Sequence, residues 1–274
     1  MQTVLTIAGF DPSSGAGVTA DLMVFAAQSL FGVSAITALT VQSTVGVRAT
    51  HPVSAEILRD TLACLDSDLP PAGVKIGMLG TAANVAVVCE YVEGIRRGPV
   101  RIPVVLDPVL RSSSGRELLD TEGVTLLRER LLPLVDWVTP NLDELTVLTG
   151  VAVSQREHLP VAAHSLQGDS GVGMGLRLGV FATGGHLDPP DDFLLMPDGK
   201  SLWLPGMRIS TRATQGTGCA LSSAFLSRLV LGEAPAEAAH AAKRYVATAL
   251  ESATPRGSGP SAINHLWPRL FAKD

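Results

Sequence analysis

The segment IAGFDPSSGAG, residues 7–17, decides the fold. A short apolar run ends in a loop with three glycines, an aspartate and two serines, and a helical segment follows the loop. This order predicts a strand, a turn and a helix, the unit from which parallel sheets are built. The loop lacks the GxxxxGK[ST] pattern of a Walker A sequence. It is either a binding loop or a plain strand-to-helix turn that is capped by serine.

Outward from this segment, short apolar runs alternate with longer segments of helical period. The alternation predicts an α/β sandwich, in which helices cover both faces of a mostly parallel sheet. The predicted strands are residues 4–7, 34–39, 74–76, 104–106, 137–138 and 178–182. The segment FLLMPDGKSLWL, residues 193–204, contains a Pro-Asp-Gly turn and predicts a late hairpin at the edge of the sheet.

Several signals predict helix ends and one loop. Ser154 with Glu157 has the spacing of a capping box, Pro235 suits a first helical turn, and Gly232 follows the helix that begins near Gly218. The glycine-rich segment QGDSGVGMG, residues 167–175, predicts a surface loop.

Composition limits the kind of protein. A chain of 274 residues with 46% hydrophobic content can bury one large core, so we predict a single domain, residues 1–274. A formal net charge of -5 and an aromatic content of 4% argue against a nucleic-acid partner. Cys64, Cys89 and Cys219 lie far apart without metal-binding spacing, which favours a reduced, cytoplasmic compartment. No apolar stretch of about 18 residues appears, so we expect a soluble chain and no membrane partner.

Acidic side chains follow two of the predicted strands. Asp107 ends the run VVLDPV, and Glu144 follows another strand in VTPNLDEL. Ligands bind at the carboxyl ends of parallel strands, so both carboxylates can face one crevice and offer the hard oxygen ligands that magnesium takes beside phosphates. The alternatives are a turn residue for Asp107 and, for Glu144, a capping box with Asn141.

The segment TRATQGTGCALSSAF, residues 211–225, places a glycine-rich turn before a helix. Backbone N–H groups at such a helix start form a concave anion site, which Thr214 and Thr217 extend with hydroxyl donors. Gly216 and Gly218 allow a phosphate to approach the backbone, because neither carries a Cβ. The alternative is a helix start punctuated by glycines without any ligand.

Taken together, these motifs resemble a known enzyme family. They are GFDPSSGAGVTADL, TALTVQST, VKIGMLG, VVLDPV, VTPNLDEL, ATGGHL, TRATQGTGCALSSAF and GSGPSAINH. In this order they are similar to the hydroxymethylpyrimidine and phosphomethylpyrimidine kinases of thiamine biosynthesis, over residues 7–265. The resemblance implies a ribokinase-like three-layer α/β/α sandwich and often a homodimer. It also implies an enzyme that uses ATP and Mg²⁺ to phosphorylate 4-amino-5-hydroxymethyl-2-methylpyrimidine and then its monophosphate.

The resemblance also implies roles for individual residues. Gln42 is similar to the glutamine that hydrogen-bonds the aminopyrimidine, and the implied substrate pocket adds Asp21, the backbone at Gly9 and Ala16, and the apolar walls Met78 and Val109. The implied metal ligands are Asp107 and Glu144. The implied nucleotide-binding residues are Thr183, Gly185, Thr211, Thr217 and Lys243. For Lys243, an exposed position on a helix face is the alternative.

Cys219 stands directly after the two glycines and completes the implied catalytic group, Gly216, Gly218 and Cys219. A helix N-terminus lowers the pKa of a thiol from about 8.5 towards neutrality, so Cys219 is expected to act as a base or to orient the acceptor alcohol. Packing alone is the alternative.

Four positions depart from the family pattern. Thr183 stands where many members have lysine, Gln215 where histidine is usual, and Phe10 where a small residue is usual. The segment RSSSG, residues 111–115, lacks a lysine that is often present. A related pyridoxal kinase, or a pyrimidine-binding sensor without turnover, remains an alternative function.

Overall fold

Nine strands form one mixed sheet in the computed structural model, which describes residues 1–112, 115–170 and 177–270. The strands lie in the order β3-β2-β1-β4-β5-β6-β7-β8-β9. Their bounds are β1 Thr3–Phe10, β2 Phe31–Ser43, β3 Gly46–Pro52, β4 Val74–Ile76, β5 Val104–Leu106, β6 Trp137–Val138, β7 Gly179–Ala182, β8 Asp192–Leu195 and β9 Ser201–Leu204.

The centre of the sheet is parallel. Strands β2, β1, β4, β5, β6 and β7 pair in parallel, whereas β3 at one edge and β8 and β9 at the other pair antiparallel. The carboxyl ends of the parallel strands therefore meet at one edge of the sheet, which is where ligands bind in open sheets of this kind.

Helices cover both faces of the sheet. Their bounds are α1 Gly17–Ala27, α2 Ala55–Asp68, α3 Ala82–Arg97, α4 Thr121–Leu126, α5 Leu142–Thr149, α6 His158–Asp169, α7 Thr217–Val230, α8 Pro235–Glu251 and α9 Trp267–Leu270. Within the described ranges, none of them is both long and apolar enough to cross a bilayer.

Alternating strand residues build two apolar cores. Leu106 and Val138 point to the side of α2, α3, α5 and α6, and their neighbours Val105 and Trp137 point to the side of α1, α7 and α8. On the second side Phe225 of α7 packs edge-on against Trp137, with ring centroids 5.1 Å apart. Because successive residues of a strand face opposite sides, short strands with both faces buried read as continuous apolar runs.

These runs explain why the predicted strands are confirmed. The bounds of β4, β5 and β6 are those expected, β1 and β2 extend further than expected, and the late hairpin is β8 and β9 at the sheet edge. Strand β3 was not predicted, because its sequence GVRATHP lacks an apolar run and no residue of it is buried. Pro235 opens α8, and Gly232 with φ +90° follows α7, as expected.

Two local predictions were wrong. Ser154 does not cap a helix, since α6 begins at His158, and the Ser154 N–H donates instead to His158 Nδ1 at 3.3 Å. Residues 167–169 of the predicted loop belong to the last turn of α6, and residues 171–176 lie outside the described residues.

Candidate active site

Two acidic side chains meet at the carboxyl edge of the sheet. Asp107 follows β5 and Glu144 lies in the first turn of α5, after the neighbouring strand β6. Their exposed fractions are 4% and 7%. Burial, and after it the charge of Asp107, raises the pKa of Glu144 to about 8. Burial also raises the pKa of Asp107. The structure thus brings the two predicted metal ligands together in a buried setting, where their negative charges repel each other.

Glu144 is also part of a capping box. Its Oε2 accepts from the Asn141 N–H at 2.9 Å, and Asn141 Oδ1 accepts from the Glu144 N–H at 2.9 Å. The capping box is therefore confirmed, and the role of Glu144 as a metal ligand stays a prediction that the cap does not oppose, because the capping carboxylate lies near Asp107. The chemistry of the pair fits a divalent cation, whose charge would offset the repulsion. No cluster of three or more acidic, histidine or cysteine side chains in the described ranges could hold a metal alone. A cation held by this pair would need further ligands from substrate or water.

A buried lysine lies beneath this pair, and the sequence analysis missed it. Lys75 of β4 has no exposed surface, and its Nζ lies 2.9 Å from Asp21 Oδ2 and 3.8 Å from Asp107 Oδ2. Burial alone would lower the pKa of Lys75, but the charge of Asp21, with a smaller contribution from Asp107, outweighs burial and raises that pKa. A lysine inside the apolar run VKI was the sequence signal that could have identified it.

Asp21 lies away from the expected position. It was predicted in the substrate pocket, but it has no exposed surface. Its carboxylate accepts from Thr6 Oγ1 at 2.6 Å, from Ser223 Oγ at 2.8 Å and from Lys75. A substrate cannot reach Asp21 without displacing these partners, so the structure places Asp21 below the site rather than in its lining.

The glycine turn, residues 215–218, lies against the aspartate loop, residues 11–16. Asp11 accepts from the N–H groups of Gly15 and Ala16, and its Oδ2 also accepts from Gln215 Nε2 at 3.0 Å. Gly216 has a φ of +85°, and a Cβ there would collide with the Gly15 carbonyl oxygen. The two loops therefore fix each other, and both border the first turn of α7.

Beyond Gly216, the start of α7 is open. Gly218 is exposed, and a Cβ at that position would meet no heavy atom within 4 Å. Thr217 and Gly218 are the first two residues of the helix, where backbone N–H groups have no partner inside the helix. The arrangement can hold an anion, because these donors and the helix dipole point outward together.

Cys219 is the third residue of α7 and is partly exposed. The expectation of a lowered thiol pKa was wrong. Burial first, and then the charges of Asp107 and Asp21, raise the pKa of Cys219 to about 12, although Lys75 opposes them. Burial of the thiol is therefore the main cause of the raised pKa, and Cys219 is a thiol at neutral pH.

The predicted pyrimidine pocket borders the aspartate loop. Met78 and Val109 belong to one apolar cluster with Ala38 and Leu118, and a Cβ at Gly9 would lie 2.9 Å from Met78 Sδ. Gln42 on β2 is partly exposed, and its Oε1 accepts from Thr40 Oγ1 at 3.2 Å. The amide nitrogen of Gln42 has no hydrogen bond to the described residues and is available to a ligand.

The predicted nucleotide residues are spread around β7, β8 and the turn before α7. Lys243 is not free on a helix face, because its Nζ pairs with Asp192 Oδ2 at 2.6 Å and donates to the Pro190 carbonyl at 3.1 Å. Gly185 is exposed, and its carbonyl accepts from Arg208 at 2.7 Å. The Thr183 N–H donates to the Pro140 carbonyl, and Thr211 Oγ1 accepts from the Ala213 N–H.

Comparison with known proteins agrees with this geometry. A family model described as phosphomethylpyrimidine kinase matches residues 11–264. The chain is 35% identical over 270 residues to a hydroxymethylpyrimidine/phosphomethylpyrimidine kinase of Haemophilus influenzae, covering 97% of each.

Two solved structures are similar in fold. A phosphomethylpyrimidine kinase of Clostridium difficile superposes with a TM-score of 0.76 at 32% identity, covering 91% of this chain and 99% of that one. An ADP complex of Bacillus subtilis pyridoxal kinase superposes with a TM-score of 0.85 at 27% identity, covering 98% and 99%. These likenesses confirm the ribokinase-like three-layer sandwich.

Gly216→Ala should lower the free energy of unfolding by about 1–3 kcal/mol, because the left-handed backbone is strained with a Cβ and the Gly15 carbonyl must move. Gly218→Ala is the matched control. It should leave stability unchanged or raise it by up to about 1 kcal/mol, since alanine suits a helix better than glycine. Chemical denaturation of both variants measures the difference, and equal stabilities would contradict the docking of the two loops.

Proposed function

The chain belongs to the phosphomethylpyrimidine kinase family, and we propose that it phosphorylates 4-amino-5-hydroxymethyl-2-methylpyrimidine with ATP and then phosphorylates the product again, in thiamine biosynthesis. The observation that carries the proposal is the open glycine turn at the start of α7, beside the buried carboxylates Asp107 and Glu144. An anion site next to two buried carboxylates that repel each other suits a transferring phosphoryl group together with a divalent cation.

The proposed reaction is a displacement at the γ-phosphorus of ATP. The hydroxymethyl oxygen forms a bond to that phosphorus, the bond to the oxygen of ADP breaks, and the hydroxyl proton passes to a phosphate oxygen or to solvent. In the second reaction a phosphate oxygen of the monophosphate attacks the γ-phosphorus of another ATP. Positioning and charge stabilisation dominate such transfers, so the backbone donors at Thr217 and Gly218 would contribute by holding the phosphoryl oxygens.

Asp107 and Glu144 would hold Mg²⁺, with substrate phosphates as its remaining ligands. When bound, the ion supplies positive charge next to the phosphate oxygens. The support for this assignment is the buried pair itself, because each carboxylate lies in a place where an unneutralised charge is costly.

At the other end of the site, Gln42 would hydrogen-bond the aminopyrimidine, since its amide supplies both a donor and an acceptor. Met78 and Val109 would pack on the ring, and the backbone at Gly9 and Ala16 would border it. The nucleotide is assigned to Thr183, Gly185, Thr211, Thr217 and Lys243. In this arrangement Lys243 would meet phosphate only by releasing Asp192, and otherwise it holds the loop after Pro190 in place.

For Cys219 we propose an orienting role rather than that of a base. A thiol with a pKa of about 12 is not ionised at neutral pH, and a loose transition state needs little proton removal before the transfer. The thiol next to Asp107 would instead fix the direction of the acceptor hydroxyl.

Pyridoxal kinase activity is the second candidate, because the ribokinase-like structure with the TM-score of 0.85 is a pyridoxal kinase. A hydroxymethyl group on a heteroaromatic ring is common to both substrates. A sensor without turnover is disfavoured, because Asp107, Glu144 and the glycine turn are all present.

The second candidate and the main proposal are separated by one assay. Purified protein with ATP should turn over hydroxymethylpyrimidine and its monophosphate faster than pyridoxal, and EDTA should abolish turnover that Mg²⁺ then restores. ADP release, read by a coupled enzyme, measures this. Turnover of pyridoxal alone would overturn the substrate assignment, and turnover in EDTA would overturn the metal assignment.

Gly218→Ala should lower turnover roughly a hundredfold in the same assay, because its methyl group would displace the phosphoryl group from the turn.

The role of Cys219 is tested by three variants. An orienting thiol predicts that Cys219→Ser stays near wild-type turnover, and that Cys219→Ala loses about five- to tenfold, the value of one hydrogen bond. Cys219→Asp should be slower still, since it adds a third carboxylate beside Asp107 and Asp21. The acidic limb of the pH–rate profile should be the same in the serine variant as in the wild type. If Cys219 were a base, Cys219→Ala and Cys219→Ser would each lose about a hundredfold or more in turnover, and Cys219→Asp would retain more activity than Cys219→Ala. The acidic limb of the pH–rate profile would also move when Cys219 becomes aspartate.

We further propose a cytoplasmic homodimer. Leu39 and Val41 of β2 are 50% and 48% exposed on the face opposite Gln42, and Val45 at the hairpin tip is 72% exposed. A second copy would cover these apolar side chains. Light scattering should give twice the 28.6 kDa of one chain. Val41→Lys should give monomers, whereas Val161→Lys, at an exposed valine of α6, should not. A monomeric wild type would refute the dimer.

A further inference from the structure

We propose that Lys75 is a positioning residue for phosphoryl transfer, whose buried ammonium holds Asp107 and the first turn of α7 in the arrangement that receives the phosphate. This inference rests on the proposed function. Lys75 is not a catalytic residue, because its side chain has no exposed surface and cannot touch a substrate.

The path of the side chain brings its charge to the site. Lys75 pairs with Thr6 and Val105 of the neighbouring strands and faces the α1 and α7 side of the sheet. A Cβ at Gly77 would lie only 2.8 Å from Lys75 Nζ and 3.6 Å from its Cε. The side chain therefore runs along its strand towards the carboxyl edge, in space that is free because Gly77 has no side chain.

Two carboxylates flank the ammonium, and they differ in distance. Nζ donates to both oxygens of Asp21, at 2.9 and 3.1 Å, whereas Asp107 Oδ2 lies at 3.8 Å. Asp21 thus holds the ammonium in place by hydrogen bonds, and Asp107 interacts with the same positive charge at a longer distance. Within the described ranges, Lys75 is the cation that forms an ion pair with Asp107.

Consecutive serines connect the same two carboxylates to α7. Ser222 Oγ donates to Asp107 Oδ2 at 3.2 Å, and Ser223 Oγ donates to Asp21 Oδ1 at 2.8 Å. Both serines are fully buried, three and four residues after Cys219. A change at Lys75 would therefore shift Asp21 and Asp107, the two carboxylates that accept hydrogen bonds from Ser222 and Ser223 of α7.

The charges explain why an ammonium is needed there. Asp21 and Asp107 both act on Cys219 in the first turn of α7, and Glu144 lies near Asp107, so negative charge accumulates at the place proposed to receive phosphate. A buried ion pair adds little net stability and can often be replaced by apolar residues. Stability alone therefore does not explain why a lysine is present at this buried position. The need to hold Asp107 in place does explain it.

A double variant separates the two roles. Lys75→Met alone leaves Asp21 buried and unpaired, and should lower Tm by about 10 °C. Lys75→Met with Asp21→Asn removes both charges and should bring Tm to within about 5 °C of the wild type. Turnover of the double variant should remain about 10–100-fold low, the usual effect of losing a partner behind a metal ligand. Pyrimidine affinity, measured by calorimetry, should change less than about threefold, because its pocket is not touched.

A second readout does not depend on turnover. Mg²⁺ should raise the calorimetric affinity of the wild type for ADP, and this enhancement should shrink about tenfold in the double variant. If the wild type shows no kinase turnover, the proposed function fails, and the ADP measurement still decides the role of Lys75. Wild-type turnover together with a full Mg²⁺ enhancement in the double variant would overturn the inference. A loss of pyrimidine affinity as large as the loss of turnover would overturn it too.

Gly77→Ala gives a test that keeps every charge. Its Cβ would lie 2.8 Å from Lys75 Nζ and 3.1 Å from Ala8 Cβ, so Lys75 Nζ must move. Turnover should fall about tenfold, with a smaller loss of Tm than in Lys75→Met and little change in pyrimidine affinity. Gly94→Ala, on the exposed side of α3 with no heavy atom within 4 Å of the added Cβ, is the matched control and should be unchanged. If the double variant fails to fold, Gly77→Ala decides, and wild-type turnover in Gly77→Ala would refute the positioning role.

Discussion

An ammonium buried in the middle of a parallel sheet is the constraint on which the site depends. Lys75 cannot be solvated, so the chain must supply negative charge at its Nζ, and Asp21 does so from α1. Thr6 of β1 and Ser223 of α7 complete the shell of Asp21. One ion pair therefore fixes two helices against two strands, directly below the place where Asp107 emerges.

The topology then determines which acidic groups meet. Strands β5 and β6 are adjacent and parallel, so Asp107 after one and Glu144 after the other emerge at the same edge. Glu144 reaches that place because its carboxylate closes a capping box with Asn141. A helix cap and a candidate metal ligand are here the same side chain, and the cap supplies the orientation that a ligand needs.

The sequence predicted features that depend on neighbouring residues, and it failed where distant residues decide. Strands such as 104–106 were readable because burial on both faces leaves a continuous apolar run. Strand β3 was not, because it lies at an edge of the sheet, pairs only with β2 among the described strands and has no buried residue. The spacing of Ser154 and Glu157 imitates a cap, but spacing cannot say where a helix begins. The pKa of Cys219 was misjudged because a helix start was visible in the sequence, whereas the burial of the thiol and the carboxylates around it were not.

The same distinction explains Gln215, whose contacts lie far from it in sequence. Its Nε2 donates to Asp11, and Asp11 in turn holds the N–H groups of Gly15 and Ala16. Gln215 and Asp11 are 204 positions apart in sequence, so no local pattern reveals that a neutral amide joins the two loops. An amide can make this link without adding charge at the glycine turn. The positive charge near the transferred phosphoryl group would then come from two other sources, the buried Lys75 and the cation that Asp107 and Glu144 would hold.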